Sequence, residues 1–77
     1  MTNYYMRKLG KACQQFRLSE TKYSQSDVAK DLKYDVKNIS AFENGRNRNI
    51  QILAWYIENG FNYNDWSDKY GKGEEDL

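Results

Sequence analysis

Histidine and proline are both missing from this 77-residue chain, and cysteine occurs once, as Cys13. Without histidine, the commonest proton shuttle and zinc ligand is lacking. Cys13 then has no imidazole to activate it, which excludes a Cys-His nucleophile. A single thiol forms no internal disulfide and suits a reducing compartment. The carboxylates are scattered, apart from Glu74, Glu75 and Asp76, which read as a solvated end. No apolar run approaches the ~20 residues that cross a bilayer, and no signal-peptide pattern opens the chain. These absences leave no constellation for catalysis. Neither an enzyme, a metal, a cofactor, a small-molecule substrate nor a membrane partner is expected, and the expected location is the cytoplasm.

What is present suits one small domain near the lower size limit for a single apolar core. Hydrophobic residues make up 39% of the chain, with seven Tyr, three Phe and two Trp as bulky core material. The net charge is only +1, but it is unevenly placed. Residues 1–48 hold ten Lys/Arg against five Asp/Glu, 10 − 5 = +5, whereas residues 49–77 hold two against six, 2 − 6 = −4. A basic half of this kind suggests an anionic partner.

Three-and-four spacing of apolar residues predicts an all-α, five-helix domain over residues 1–70, followed by a flexible acidic tail at 71–77. In the first helix Tyr5, Leu9, Ala12, Cys13 and Phe16 form one stripe. Cys13 lies in that stripe, so it reads as a small core residue. Gly10 weakens this helix unless another helix packs closely there. Ser24, with Asp27 three residues on, starts a second helix to about Lys33, with Val28, Ala29 and Leu32 inward. Asp35 caps a third from Val36 to Asn44, and Gly45 sits where a helix end wants a left-handed residue. Ile50, Leu53, Ala54 and Ile57 define a fourth. Asn62 and Asp65 open a short fifth that ends near Tyr70 and offers Phe61, Tyr63 and Trp66 to the core.

Two short helices joined by a three-residue turn are the outline of a helix-turn-helix. At ~100° per residue, Ile39 and Phe42 lie within about 60° of each other and mark the inner side of the third helix. Lys37, Ser40, Ala41 and Asn44 point roughly the other way. That face is small, hydrogen-bonding and singly cationic, and could lie flat against base edges.

The segment YSQSDVAKDLKYDVKNISAFENG, Tyr23 to Gly45, resembles the helix-turn-helix of Cro-like and phage-repressor-like DNA-binding proteins, the XRE group. The matching marks are Ser24-Gln25, Val28-Ala29 with Leu32, Asp35, Ile39 and the Phe42-Glu43-Asn44-Gly45 ending. The resemblance implies a repressor-like fold and a double-stranded DNA partner, in a bacterial or phage-infected cell and close to the nucleoid. It implies that Val36, Lys37, Asn38, Ser40 and Ala41 face the major groove, and that Gln25 bonds the phosphate backbone and also braces a recognition-helix side chain. Lys37 suits guanine, Asn38 either adenine or phosphate, Ser40 either base or backbone, and Val36 or Ala41 a thymine methyl. Asn44, Arg46, Asn47 and Arg48 suit phosphate contacts after the helix, with Ser24 and Lys22 at the start of helix two. The chain departs from the family in Lys33, where glycine is common, in a short loop after Gly45, and in Ala41, where a long polar residue is frequent.

Ile52, Trp55 and Tyr56 lie off the Ile50/Leu53/Ile57 stripe of the fourth helix. They are either covered within the monomer or form the patch that joins two copies in a homodimer. A different functional class is also open: the same fold serving as a protein-binding module, such as an antirepressor, an antitoxin-like partner or an inhibitor of a nucleic-acid enzyme.

Overall fold

Ser24, Asp35, Asn49 and Asn62 each turn a side-chain oxygen onto a backbone N–H two or three residues ahead. Each thereby satisfies a donor that the helix leaves unpaired. The computed structural model describes residues 4–71, and a helix follows each cap. After α1, Tyr4–Glu20, come α2, Gln25–Leu32, α3, Val36–Glu43, α4, Ile50–Glu58, and α5, Tyr63–Trp66. A π-helical turn, Ser67–Gly71, continues from α5. There is no strand among the described residues, so the all-α expectation holds. The predicted tail lies outside them from residue 72 onward, as do residues 1–3. No helix among them is long and apolar enough to cross a membrane.

The stops are as local as the starts. Three helices end with the same pair of backbone hydrogen bonds around a left-handed residue. In α2 the Lys33 N–H reaches Lys30 O and the Tyr34 N–H reaches Ala29 O. Gly45 with Arg46 closes α3 in this way, and Gly60 with Phe61 closes α4. This bonding pattern returns orphan carbonyls to partners and requires positive φ. Gly45 and Gly60 adopt φ of 79° and 118°, and Lys33 adopts 60° without being a glycine. The predicted ends at Lys33 and Asn44 are thus the residues just past the last helical ones.

The core gathers one side of every helix. Leu9 and Cys13 of α1, Val28 and Ala29 of α2, and Ile39 and Phe42 of α3 are buried. Phe61 and Trp66 close the far end. Burial of side chains such as Ile39 and Phe42 contributes about 1.5–3 kcal/mol each, which is what holds so short a helix as α3 in place.

In α4 the expected faces are exchanged. Ile52, Trp55 and Tyr56 are buried at 0%, 4% and 0% exposure, while Ile50 and Ile57 are 74% and 43% exposed. Both sets recur at helical spacing about 140° apart, so periodicity alone does not choose between them. Aromatic mass and hydrogen bonding do. Tyr56 stacks on Phe42 with ring centroids 5.8 Å apart, and the Trp55 indole N–H donates to Asp31 at 2.8 Å. The inner stripe therefore removes the larger area from water and keeps its polar atoms paired. Ile52, Trp55 and Tyr56 belong to the monomer core and not to a surface between copies.

At Gly10 the backbones of α1 and α3 approach closely. A Cβ there would stand 2.8 Å from the Glu43 carbonyl oxygen and closer still to that of Phe42. Gly10→Ala should lower stability by about 1–3 kcal/mol through this overpacking, although alanine is the better helix former by about 1 kcal/mol. Urea unfolding measures it, and an equal or raised midpoint would show that the two helices separate freely.

Candidate nucleic-acid interface

The two sides of α3 differ in kind. Ile39 and Phe42 lock one side into the core, while Lys37 and Asn38 are exposed beside Val36, which is 39% exposed. Ser40 and Ala41 are half-buried. The predicted base-reading residues all lie off the buried Ile39/Phe42 side, Lys37, Ser40 and Ala41 opposite it and Val36 and Asn38 at its two margins, with the amino-terminal turn prominent and the later residues recessed. The Lys37 backbone N–H is taken by Asp35 Oδ1 at 2.9 Å, and its ammonium makes no ion pair among the described residues.

The predicted phosphate residues divide. Arg46 and Arg48 are exposed and also without an ion pair among the described residues. Asn44 turns its amide back onto its own helix, donating to Ser40 O at 2.9 Å. Asn47 is half-buried and accepts the Asn49 N–H at 2.8 Å. Asn49 in turn caps α4 and donates from Nδ2 to the Tyr34 hydroxyl at 3.2 Å. Tyr34 also bonds Gln51. The loop carrying the arginines is therefore tied to the turn between α2 and α3, and the asparagines in it build the loop. At the other edge Lys22 and Ser24 are exposed. The Ser24 hydroxyl accepts the Asp27 N–H at 3.1 Å, and the Ser24 N–H returns to the Asp27 carboxylate at 2.9 Å. That N–H, followed by the Ser24 hydroxyl, holds the Asp27 carboxyl below its ordinary value.

Beneath α3 lies a polar group that periodicity did not reveal. Glu43, its last residue, has a side chain at 0% exposure. It accepts from Arg17 Nε at 2.8 Å and Nη2 at 3.2 Å, from Gln25 Nε2 at 2.8 Å, and from the Tyr56 hydroxyl. Arg17 continues to the Tyr23 carbonyl at 3.2 Å. Burial raises the Glu43 carboxyl, but the hydrogen bonds from Arg17, Tyr56 and Gln25 outweigh it and keep the group below its ordinary 4.5. Burial, followed by the Glu43 bond, pushes the Tyr56 phenol up, so it stays a donor. Burial first and the Glu43 charge second likewise raise the Cys13 thiol, which leaves it an inert core group. Gln25 thus braces the end of α3 through the Glu43 side chain. The signal that could have found this network is compositional: a glutamate and an arginine sitting within otherwise apolar helix faces.

No group of His, Cys, Asp and Glu side chains among the described residues is arranged to hold a metal ion. Comparison with protein-family models, curated proteins and solved structures finds no match.

Removing the Glu43 carboxylate strands a buried guanidinium, so Glu43→Ala should cost about 3–5 kcal/mol. The pH dependence has a definite sign. The folded carboxyl titrates below its unfolded value, so its contribution is complete above about pH 4.5 and lost as pH falls through the folded value. Between about pH 6 and 2.5 the urea midpoint of the wild type should fall more steeply than that of Glu43→Gln. Parallel curves would mean that the buried carboxylate is not ionised.

Proposed function

We propose that the chain is a sequence-specific, double-stranded-DNA-binding transcriptional regulator of the small Cro-like repressor kind, acting in the cytoplasm. In this reading α2, the turn Lys33–Asp35 and α3 work as a helix-turn-helix, with α3 in the major groove. The supporting observation is the contrast across α3. Val36, Lys37 and Asn38 stand in solvent, while Ile39, Phe42 and Glu43 on the same helix are locked beneath them. A helix held in this way has little backbone freedom left to lose on binding. Arg46 and Arg48 flank it with uncompensated charge suited to phosphates.

Lys37 reads guanine, Asn38 meets adenine or the neighbouring phosphate, and Val36 packs against a thymine methyl. The recessed Ser40 and Ala41 add shape more than hydrogen bonds. So small a surface reads few base pairs, and a second copy supplies a second half-site about 34 Å away. The apolar side chains left for that contact are the exposed Ile50 and Ile57 of α4, which are uncharged and so compatible with an identical partner.

Lys37→Ala should weaken binding to a selected operator far more than to random duplex. Arg46→Ala and Arg48→Ala should weaken both and flatten the salt dependence by about one counterion each. Uniform loss from Lys37→Ala would remove it as a base reader. Absence of any duplex binding at ~50 mM salt would transfer the fold to a protein-binding role.

The dimer has its own check. Ile50→Glu with Ile57→Glu should convert a sedimenting dimer to monomer at micromolar concentration and reduce operator affinity while leaving random-duplex binding intact. A wild type that sediments as a monomer under those conditions removes the paired half-sites.

A further inference from the structure

The first two turns of α1 run against the usual electrostatics of a helix. Amino-terminal turns favour carboxylates, because the backbone dipole is positive there. α1 instead carries Arg7, Lys8 and Lys11, with no acid before Glu20. Arg7 and Lys11 are exposed and four residues apart, a like-charge spacing that weakens a helix. Lys8 lies over the Tyr4 ring, 5.4 Å from its centroid. Together with Tyr4, Glu43 and Asn44, the three cations border a shallow concavity of about 420 Å3 between α1 and the end of α3.

Two purely structural roles for Arg7 and Lys11 are already filled by other groups. The carbonyls of Ser40, Ala41 and Phe42 accept from Asn44, Arg46 and Gly45, so the end of α3 needs no cationic cap. Among the described residues the one carboxylate bordering the concavity, that of Glu43, is fully buried and committed to Arg17, Gln25 and Tyr56. Neither Arg7 nor Lys11 makes an ion pair among the described residues. Their charge is therefore directed outward.

Gly45 joins this surface to the arginine loop. A Cβ on Gly45 would stand 2.6 Å from the Arg7 Cα, so the backbone of α1 lies directly against the residue before Arg46. Resting on the DNA-binding reading above, we propose that Arg7 and Lys11 form a second phosphate-binding strip that continues from Arg46 along α1. It takes the sugar–phosphate backbone of the duplex beyond the stretch read by α3. The helix rises about 6 Å from Arg7 to Lys11, and phosphates of one strand advance about 3.4 Å each along the duplex axis. The pair thus spans about two phosphates.

The test uses the full chain and a random-sequence duplex, with affinity measured across a range of salt concentrations. Arg7→Gln with Lys11→Gln should make the logarithmic salt dependence shallower by about two counterions, and Lys11→Gln alone by about one. Both positions are exposed, so thermal unfolding should stay near that of the wild type. Lys30→Gln is the control: Lys30 is an exposed cation of α2 that borders neither Arg7 nor Lys11 and is given no phosphate contact, so its loss should leave the slope unchanged. A wild-type slope in the double variant overturns the α1 strip and leaves the α3 reading standing. An equal change from Lys30→Gln also overturns it, since net charge alone would then explain the effect. Binding of poly-glutamate that depends on Arg7 and Lys11, with an unchanged DNA slope, overturns it in favour of an acidic protein partner. A wild type that binds no duplex at all removes the DNA reading itself.

Discussion

An ion pair almost without access to water joins the last turn of α1 to the last residue of α3. Arg17 and Glu43 lie 26 positions apart in sequence, at 7% and 0% side-chain exposure. Two charges withdrawn from water recover their hydration only if every remaining donor and acceptor finds a partner. That demand brings in α2 through Gln25, α4 through Tyr56 and the α1–α2 connection through the Tyr23 carbonyl. A buried pair contributes little net stability compared with an apolar substitute, but its orientation is exacting. What it sets here is the position of the end of α3 relative to three other elements.

The close approach of α1 to α3 follows the same geometry. The two helices meet at Gly10 and Gly45, each of which presents backbone where a side chain would collide. Glu43 sits between these two contacts, and its carboxylate dives under the helix while its carbonyl faces Gly10. The solvent side of α3 is thereby held still by packing on the opposite side. The caps then restrict the ends: Asp35 before the helix, and the bonds from Gly45 and Arg46 after it. The placement of the backbone that carries Val36 to Asn38 is thus a consequence of core construction and capping.

Several parts of this arrangement were legible from residues alone, because their chemistry spans only a few positions. Ser24 with Asp27 forms a reciprocal cap, and Asp35 starts α3 as its short side chain predicts. Gly45 takes the left-handed conformation that its place after Asn44 suggested, and Lys33 takes it as well without being glycine. Ile39 and Phe42 are buried as their spacing indicated. The candidate site was less legible. Arg46 and Arg48 stand free in solvent as expected, yet Asn44 and Asn47 spend hydrogen bonds on building their own turns. Asparagine beside an arginine reads equally well as a ligand contact or as loop architecture, since its amide serves either.

The residues by themselves determined where α2 and α3 start and stop, because caps and left-handed closures are made between neighbours two to five positions apart; the end of the fifth helix, expected near Tyr70, falls instead at Trp66, where a π-helical turn takes over. They also determined the apolar side of α1, α2 and α3, where one stripe exceeds the other. Only the tertiary structure decided the inner side of α4, whose two apolar stripes compete until Phe42, Asp31 and Glu43 offer partners to Tyr56 and Trp55. It also decided that a charged residue at the end of α3 lies in the core. Charge is expected at the surface, and the partners that make burial of Glu43 tolerable come from α1, α2 and α4, beyond the reach of any local pattern.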